Sequence, residues 1–130
     1  MRPRYYCEFC SKSGGSGGHI RMHEEHCTMN PQRKCRMCKY LNREQPKLGD
    51  LLVGLPTAEE QYVTDPSADY RYWREIDEAI VKKLRDLAGS CPACTMAAIR
   101  QRGLPVYTAV GFNFSGECKN VWARYNDTLS

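Results

Sequence analysis

Several kinds of sequence signal are missing from this chain, and each absence narrows what it is. No run approaches the roughly 18 apolar residues of a membrane-spanning helix, so no membrane partner is expected. The opening residues, Met1-Arg-Pro-Arg-Tyr-Tyr-Cys, hold no apolar stretch of the secretory kind, which predicts a reducing, cytoplasmic setting. Phenylalanine occurs three times in 130 residues and mean hydropathy is −0.62. A modest, divided core is expected, one that gains from a covalent or metal staple. Histidine is equally sparse, since His19, His23 and His26 are the whole set and all precede residue 27. There is no P-loop, no Ser-His-Asp set and no plausible carboxylate pair, so no enzymatic role is expected.

Cysteine, by contrast, is abundant, at eight residues. Six of the eight fall into three C-x-x-C pairs, Cys7/Cys10, Cys35/Cys38 and Cys91/Cys94. In a reducing compartment such pairs serve metal more often than disulfides. A two-residue spacer lets both thiolates of a tight turn face one ion. Charge is also unevenly placed: through Asp50 there are ten Lys/Arg against five Asp/Glu, and beyond it nine against ten. The basic character belongs to the cysteine-rich half.

The first pair continues as "CEFCSKSGGSGGHIRMHEEHC", with twelve residues from Cys10 to His23 and three more to Cys27. His23 and Cys27, four apart, share one face of a helix. With Cys7 and Cys10 they complete a tetrahedral donor set. The pattern C-x2-C-x12-H-x3-C resembles a C2H2-type zinc finger of the CCHC variant, over about the first 27 residues. The resemblance implies a ββα-like fold closed by Zn2+, with Tyr5 and Ile20 at two of its core positions. At the third, four residues after Cys10, stands Gly14, and Phe9 is the candidate to compensate. The base-reading positions of such fingers fall here on Ser16, His19 and Met22. That set is poor for direct readout, so any DNA contact is expected to be mostly non-sequence-specific. His19 lies four residues before His23 and is the alternative ligand; His26 is off that face.

The remaining pairs, in "KCRMCK" and "GSCPACTMAAIRQRG", are separated by 52 residues. Joined on one ion they form a second site, Cys35, Cys38, Cys91 and Cys94, of treble-clef or ribbon type, giving two Zn2+ per chain. Pro92 suits a first helical turn, Met96 and Ile99 give an apolar face, and Gly103 ends the helix. Between the pairs, Thr57 and Glu60 read as a capping box, and Asp65-Pro66-Ser67 as a turn. A longer helix is expected from about Ala68 to Leu87, with Trp73, Ile76, Ile80, Leu84 and Leu87 as its apolar stripe. "VYTAVGFNF" is expected to form a short hairpin broken at Gly111. Ser115 would then cap a last helix carrying Cys118, Val121, Trp122 and Tyr125 inward. Cys118 reads as a packing residue.

The expected fold is therefore a small, mostly helical, zinc-stabilised α+β chain. It has a finger over residues 1–30 and a four-cysteine module over 31–130 with a helical insertion at about 55–88. For function, Arg2, Arg4, Lys12, His19, Arg21, Arg33, Lys34, Arg36 and Lys39 gather around the first two cysteine pairs, with Arg43, Lys47 and tyrosines 5, 6 and 40 among them. Cations beside aromatic rings suit DNA or RNA. The same cations would also neutralise zinc–thiolate centres without meeting any ligand. "CPAC" has the look of a redox dithiol, but it follows a helical segment where such motifs follow a strand, which favours metal. Small zinc-stapled domains also serve as protein-interaction modules. The chain as a whole resembles small bacteriophage zinc-finger proteins. That resemblance implies a role in the host cytoplasm, on nucleic acid or against a host machine, or a place in the virion.

Overall fold

The structure is a computed structural model. It describes residues 3–40, 44–67 and 70–129, the last six without their side chains. Arg2, Arg43, the expected helix start at Ala68 and the side chain of Tyr125 lie outside the described residues.

Two short antiparallel hairpins and seven α-helices are present among the described residues. Strand β1 (Tyr5–Tyr6) pairs with β2 (Ser13–Gly14), Tyr5 opposite Gly14. Helix α1 (Gly17–His26) follows, its amide at His19 capped by the Ser16 hydroxyl at 3.3 Å. Half of the glycine-rich stretch is thus the first turn of α1 rather than loop. Gly17 has a steric reason to be glycine: a Cβ there would lie 3.2 Å from the Tyr5 ring. That ring rests on the helix backbone and stays 43 % exposed, so Tyr5 does not take the core position expected of it. The finger's core is Cys7, Ile20 and Cys27, with Phe9, Cys10 and Met29 against them. Ile20 also covers Gly14, its Cδ1 lying 3.5 Å from where a Cβ would stand.

A second, larger core occupies the rest of the chain. Helices α2 (Arg36–Tyr40), α3 (Leu48–Leu52) and α4 (Ala58–Gln61) lead into it. The Thr57/Glu60 capping box is formed in both directions. Strands β3 (Tyr62–Asp65) and β4 (Tyr70–Trp73) then pair antiparallel, Tyr62 opposite Trp73. The expected helix from about 68 to 87 is therefore corrected. Its first part is strand, because Tyr70, Tyr72 and Trp73 favour a pleated surface and the turn at Asp65–Ser67 closes a hairpin. Asp77 accepts from the Ala79 amide at 2.8 Å and starts helix α5 (Glu78–Leu87) instead. Its buried face is Val81 and Leu84, while Leu87 is exposed.

The end of α5 turns the chain directly into the third cysteine pair. Gly89 N–H donates to Asp86 and Ser90 N–H to Arg85, a Schellman closure with Gly89 at φ 62° and Ser90 at φ 63°. Helix α6 (Pro92–Gln101) begins one residue later with Pro92 in its first turn. It ends on the same motif, with Gly103 at φ +79° and Leu104 N–H donating to Ile99.

The expected hairpin at 106–114 does not form. Val106–Thr108 is a single 3-10 turn, and Ala109 makes an isolated parallel bridge to Ile76. Gly111, at φ +78°, lets the chain turn toward helix α7 (Phe114–Leu129). α7 begins before Ser115, and Asn113 Oδ1 does the capping, accepting from the Gly116 amide at 3.0 Å. Arg85 ties α7 to α5 through Glu117 at 2.9 Å. No helix among the described residues is long and apolar enough to cross a membrane.

Candidate metal centres and the basic surface

The first centre is assembled from the β1–β2 hairpin and α1. Cys7 and Cys10 lie in the connection between the strands, with the Cys7 amide held by the Lys12 carbonyl at 2.9 Å. His23 projects from the last part of α1 and Cys27 follows its final residue. Donor atoms of all four lie within 4.8 Å of one another. Cys10 Sγ and His23 Nε2 are 3.2 Å apart, close to the roughly 3.6 Å edge that zinc–sulfur and zinc–nitrogen bonds of normal length give a tetrahedron. Amide groups of Phe9 and Lys12 donate to the sulfurs of Cys7 and Cys10 at 3.4 and 3.5 Å.

Two of the four donors, His23 and Cys10, are shifted in the direction a cation needs. Burial, then the nearby Lys12, hold His23 below the ordinary imidazole value, which favours the neutral ring that ligates metal. Burial alone would raise Cys10, but the Lys12 amide and the neighbouring thiols outweigh it and bring it below the usual thiol range. Cys27, the more enclosed, is pushed up to about 11 by burial. The other two histidines are placed apart. His19 is exposed, and His26 donates through Nδ1 to the Lys34 carbonyl at 2.8 Å.

Two helix starts meet to form the second centre. Cys35 precedes α2 and Cys38 lies in its first turn; Cys91 precedes α6 and Cys94 lies in its first turn. Cys91/Cys94 opens a helix as expected, while Cys35/Cys38 also runs straight into helix and is not carried on a hairpin among the described residues. All four cysteines are buried, between 0 and 7 % exposed, in the middle of the larger core with Leu51, Ile76, Val81 and Ile99. Cys35 and Cys91 sulfurs stand 3.5 Å apart, and those of Cys38 and Cys94 3.6 Å. A disulfide needs about 2.05 Å, whereas the sulfur–sulfur edge of a zinc tetrahedron is about 3.8 Å.

Packed this closely, the four sulfurs polarise one another. Cys38 drives Cys35 below the usual thiol value by hydrogen bonding, and the Cys35 sulfur in turn drives Cys38 and Cys94 above it. Cys35 raises Cys91 as well, but Cys38 and Cys94 outweigh it and leave Cys91 lowered. Four such groups rest together only if protons or a cation hold them. One set of three cysteines with a histidine and one set of four cysteines, both of this size, fit two zinc ions.

Helix α6 joins the two centres. Its first turn carries Cys91 and Cys94, while at its other end Arg100 donates to the Thr28 hydroxyl at 2.6 Å and Gln101 to the Thr28 carbonyl at 3.0 Å. Thr28 directly follows the ligand Cys27. These ties were not legible in the sequence, where Thr28 and Arg100 stand far apart with no motif around either.

The cations expected to meet nucleic acid separate into groups. Lys12, His19 and Arg36 line a cleft of about 580 Å3 on the finger, together with His23 and His26. An adjoining cleft of about 530 Å3 shares His26 and Arg36 and adds Lys34, Lys39 and Tyr40. Glu25 also lines it and is paired with Lys34 at 3.2 Å. Arg21 lies on another side of α1 with Tyr5 and Tyr6, and Arg4 donates to Ser13 across the small hairpin at 3.0 Å. Arg33 is corrected: it is 8 % exposed, with its guanidinium turned to Cys94, and takes no part in that surface.

Comparison of the chain with protein-family models, with curated proteins and with solved structures gives no match. The class is thus defined by its sites: a small α+β protein with two metal centres whose donors suit zinc.

Proposed function

We propose that the protein is non-enzymatic and binds DNA or RNA through its basic N-terminal half, largely without regard to sequence. The observation that carries this reading is the pair of adjoining clefts that share His26 and Arg36 and are lined by Lys12, His19, Lys34, Arg36 and Lys39. They cross from the finger to the start of the second module. A phosphate backbone laid along them meets cations held on two metal-fixed frames. Ser16, His19 and Met22 offer few side chains for reading base edges, which supports backbone contact over direct readout.

The test is fluorescence anisotropy of the zinc-loaded protein on short duplex DNA, single-stranded DNA and RNA, from roughly 50 to 200 mM salt. Affinity is expected to fall by orders of magnitude across that range. Arg36→Ala and Lys12→Ala should each reduce the salt slope by about one. Absence of binding at the low-salt end would refute the proposal.

A second reading, a protein-interaction module, draws on a different feature. The β3–β4 hairpin carries Tyr62, Tyr70 and Tyr72, each at least 39 % exposed. Such a surface suits a protein partner, whether in a phage particle or on a host machine. Binding lost on Tyr70→Ser and Tyr72→Ser, with the salt-dependent binding unaffected, would separate the two readings.

A further inference from the structure

Arg33 is buried as deeply as the apolar core, at 8 % exposure. Its Nη1 and Nη2 lie 3.8 and 3.6 Å from Cys94 Sγ, a residue 61 positions further along the chain. Its Nε has no hydrogen-bond partner among the described residues. The ion pairs found among those residues are Lys34 with Glu25 and Arg85 with Glu117, so no carboxylate neutralises it there. A buried guanidinium without a carboxylate is costly, and its presence calls for another anion.

The four-cysteine centre is that anion. Four thiolates outweigh one divalent cation, so the loaded centre keeps a net negative charge inside the same core. Alone, each of these charges would be destabilising; at this distance they offset each other. The backbone is arranged to keep them together. Gln45 accepts from the Cys35 amide at 2.6 Å and donates to the Arg33 carbonyl at 2.9 Å, fixing the segment that aims Arg33 across the start of α6. The cleft of about 540 Å3 that Arg33 and Cys94 border is lined by amides, apolar residues and Lys47, with no carboxylate to draw the guanidinium away.

We propose that Arg33 is the built-in counter-charge of the four-cysteine centre, a positioning residue whose guanidinium donates to the Cys94 thiolate and sets how tightly that site holds zinc. Its role lies in the metal site and is independent of any nucleic-acid contact.

The experiment compares Arg33→Met, Arg33→Gln and Arg33→Lys in the full zinc-loaded chain. Zinc affinity is read by chelator competition, and site occupancy by native mass spectrometry, with the finger's histidine-containing site as the internal control. Outer partners of metal ligands typically govern about 10–100-fold in affinity. The uncharged variants should lose that much at the four-cysteine site and nothing comparable at the other. Lysine should recover most of the loss. Cobalt substitution gives a second readout, since the sulfur-to-cobalt absorption band reports whether four thiolates still assemble. Should the methionine variant not assemble, glutamine against lysine decides. Uncharged variants with native zinc affinity would overturn the proposal. So would a lysine variant as weak as the glutamine one, which would make Arg33 a packing residue.

Discussion

Replacing Cys91 by serine tests the central claim, that the larger core is organised by a metal. Cys91 is fully buried at 0 % exposure, and Cys38 and Cys94 are at 1 %, so no water stands ready to solvate the groups left behind. A structural zinc of this kind contributes about 10–16 kcal/mol at neutral pH. A typical domain has a net stability of only about 5–15 kcal/mol. Loss of the ion therefore exceeds what the apolar residues around it can hold alone. Cys91→Ser should abolish cooperative unfolding of the second module and reduce zinc from two per chain to about one or fewer. Circular dichroism melts, amide NMR spectra and elemental analysis read these directly. Cys118→Ser is the matched control. Cys118 is half-buried, with its thiol raised by burial, and lies outside both donor sets. Its replacement should cost about 1 kcal/mol and no zinc. A Cys91→Ser chain that keeps two zinc ions and melts like the parent would refute the reasoning, as would intact disulfides found by mass spectrometry.

Thr28→Val removes the hydroxyl that accepts from Arg100 at 2.6 Å. A lost hydrogen bond to a charged group costs about 1.5–3 kcal/mol, and chelator competition should show faster zinc loss from the finger than from the four-cysteine site. Ser90 sits at φ 63°, a region that costs a non-glycine residue about 1 kcal/mol; Ser90→Gly should leave the melting temperature equal or higher, and a clear drop would count against that account. Gly103 is at φ +79° with Ala58 Cβ at an ordinary 3.6 Å, so Gly103→Ala should destabilise by about 1 kcal/mol through backbone strain alone. His23 is held below the ordinary imidazole value, by burial first and Lys12 next. A group depressed on folding contributes stability that is present above its unfolded value, about 6.5, and lost as pH falls through the folded one. The finger should therefore weaken in acid from about pH 6.5 downward; equal finger stability at pH 7 and pH 5.5 would contradict this.

The metal donors were legible in the sequence because spacing alone carries them. A C-x-x-C pair and a histidine and cysteine four apart on a helix have few ways to face anything but one another. The same is true of Thr57 with Glu60 and of Gly103, where local hydrogen bonding fixes the outcome. The segment from 68 to 87 is ambiguous in sequence, because Trp73, Ile76 and Ile80 satisfy a helical period while Tyr70, Tyr72 and Trp73 equally satisfy a strand. The choice was made by Asp77, whose side chain starts the helix at Glu78 instead of near Ala68. At 106–114 the β-prone residues found no second strand, because Ala109 pairs with Ile76 instead. Arg33 shows the remaining gap. The neighbouring cations look alike in composition, and only the fold reveals that this one points inward.

The placement of α6 makes the two centres depend on each other. Its N-terminal turn is fixed by the four-cysteine site, and its C-terminal end grips the residue after Cys27. The basic clefts straddle the same junction: Lys12 and His19 stand on the finger, Lys39 on α2, and Arg36 and His26 between them. Their relative positions are set where the modules meet, at the Thr28 ties, the His26 to Lys34 bond and the Lys34–Glu25 pair. Exposed ion pairs contribute little to such a junction. Its rigidity comes from the α6 ties together with the Lys34 N–H bond to the Glu25 carbonyl at 2.9 Å and the Asn30 side-chain amide bond to the Glu24 carbonyl at 2.8 Å. Loss of zinc from the four-cysteine site would then free the C-terminal end of α6 and loosen Thr28. Lys12 and Lys39 would no longer be held on one track. On the nucleic-acid reading, Cys91→Ser should weaken binding at least as much as removing a cation from the cleft, even though Cys91 is buried and lines neither cleft. If the finger were an independent binder, the same variant would leave affinity unchanged.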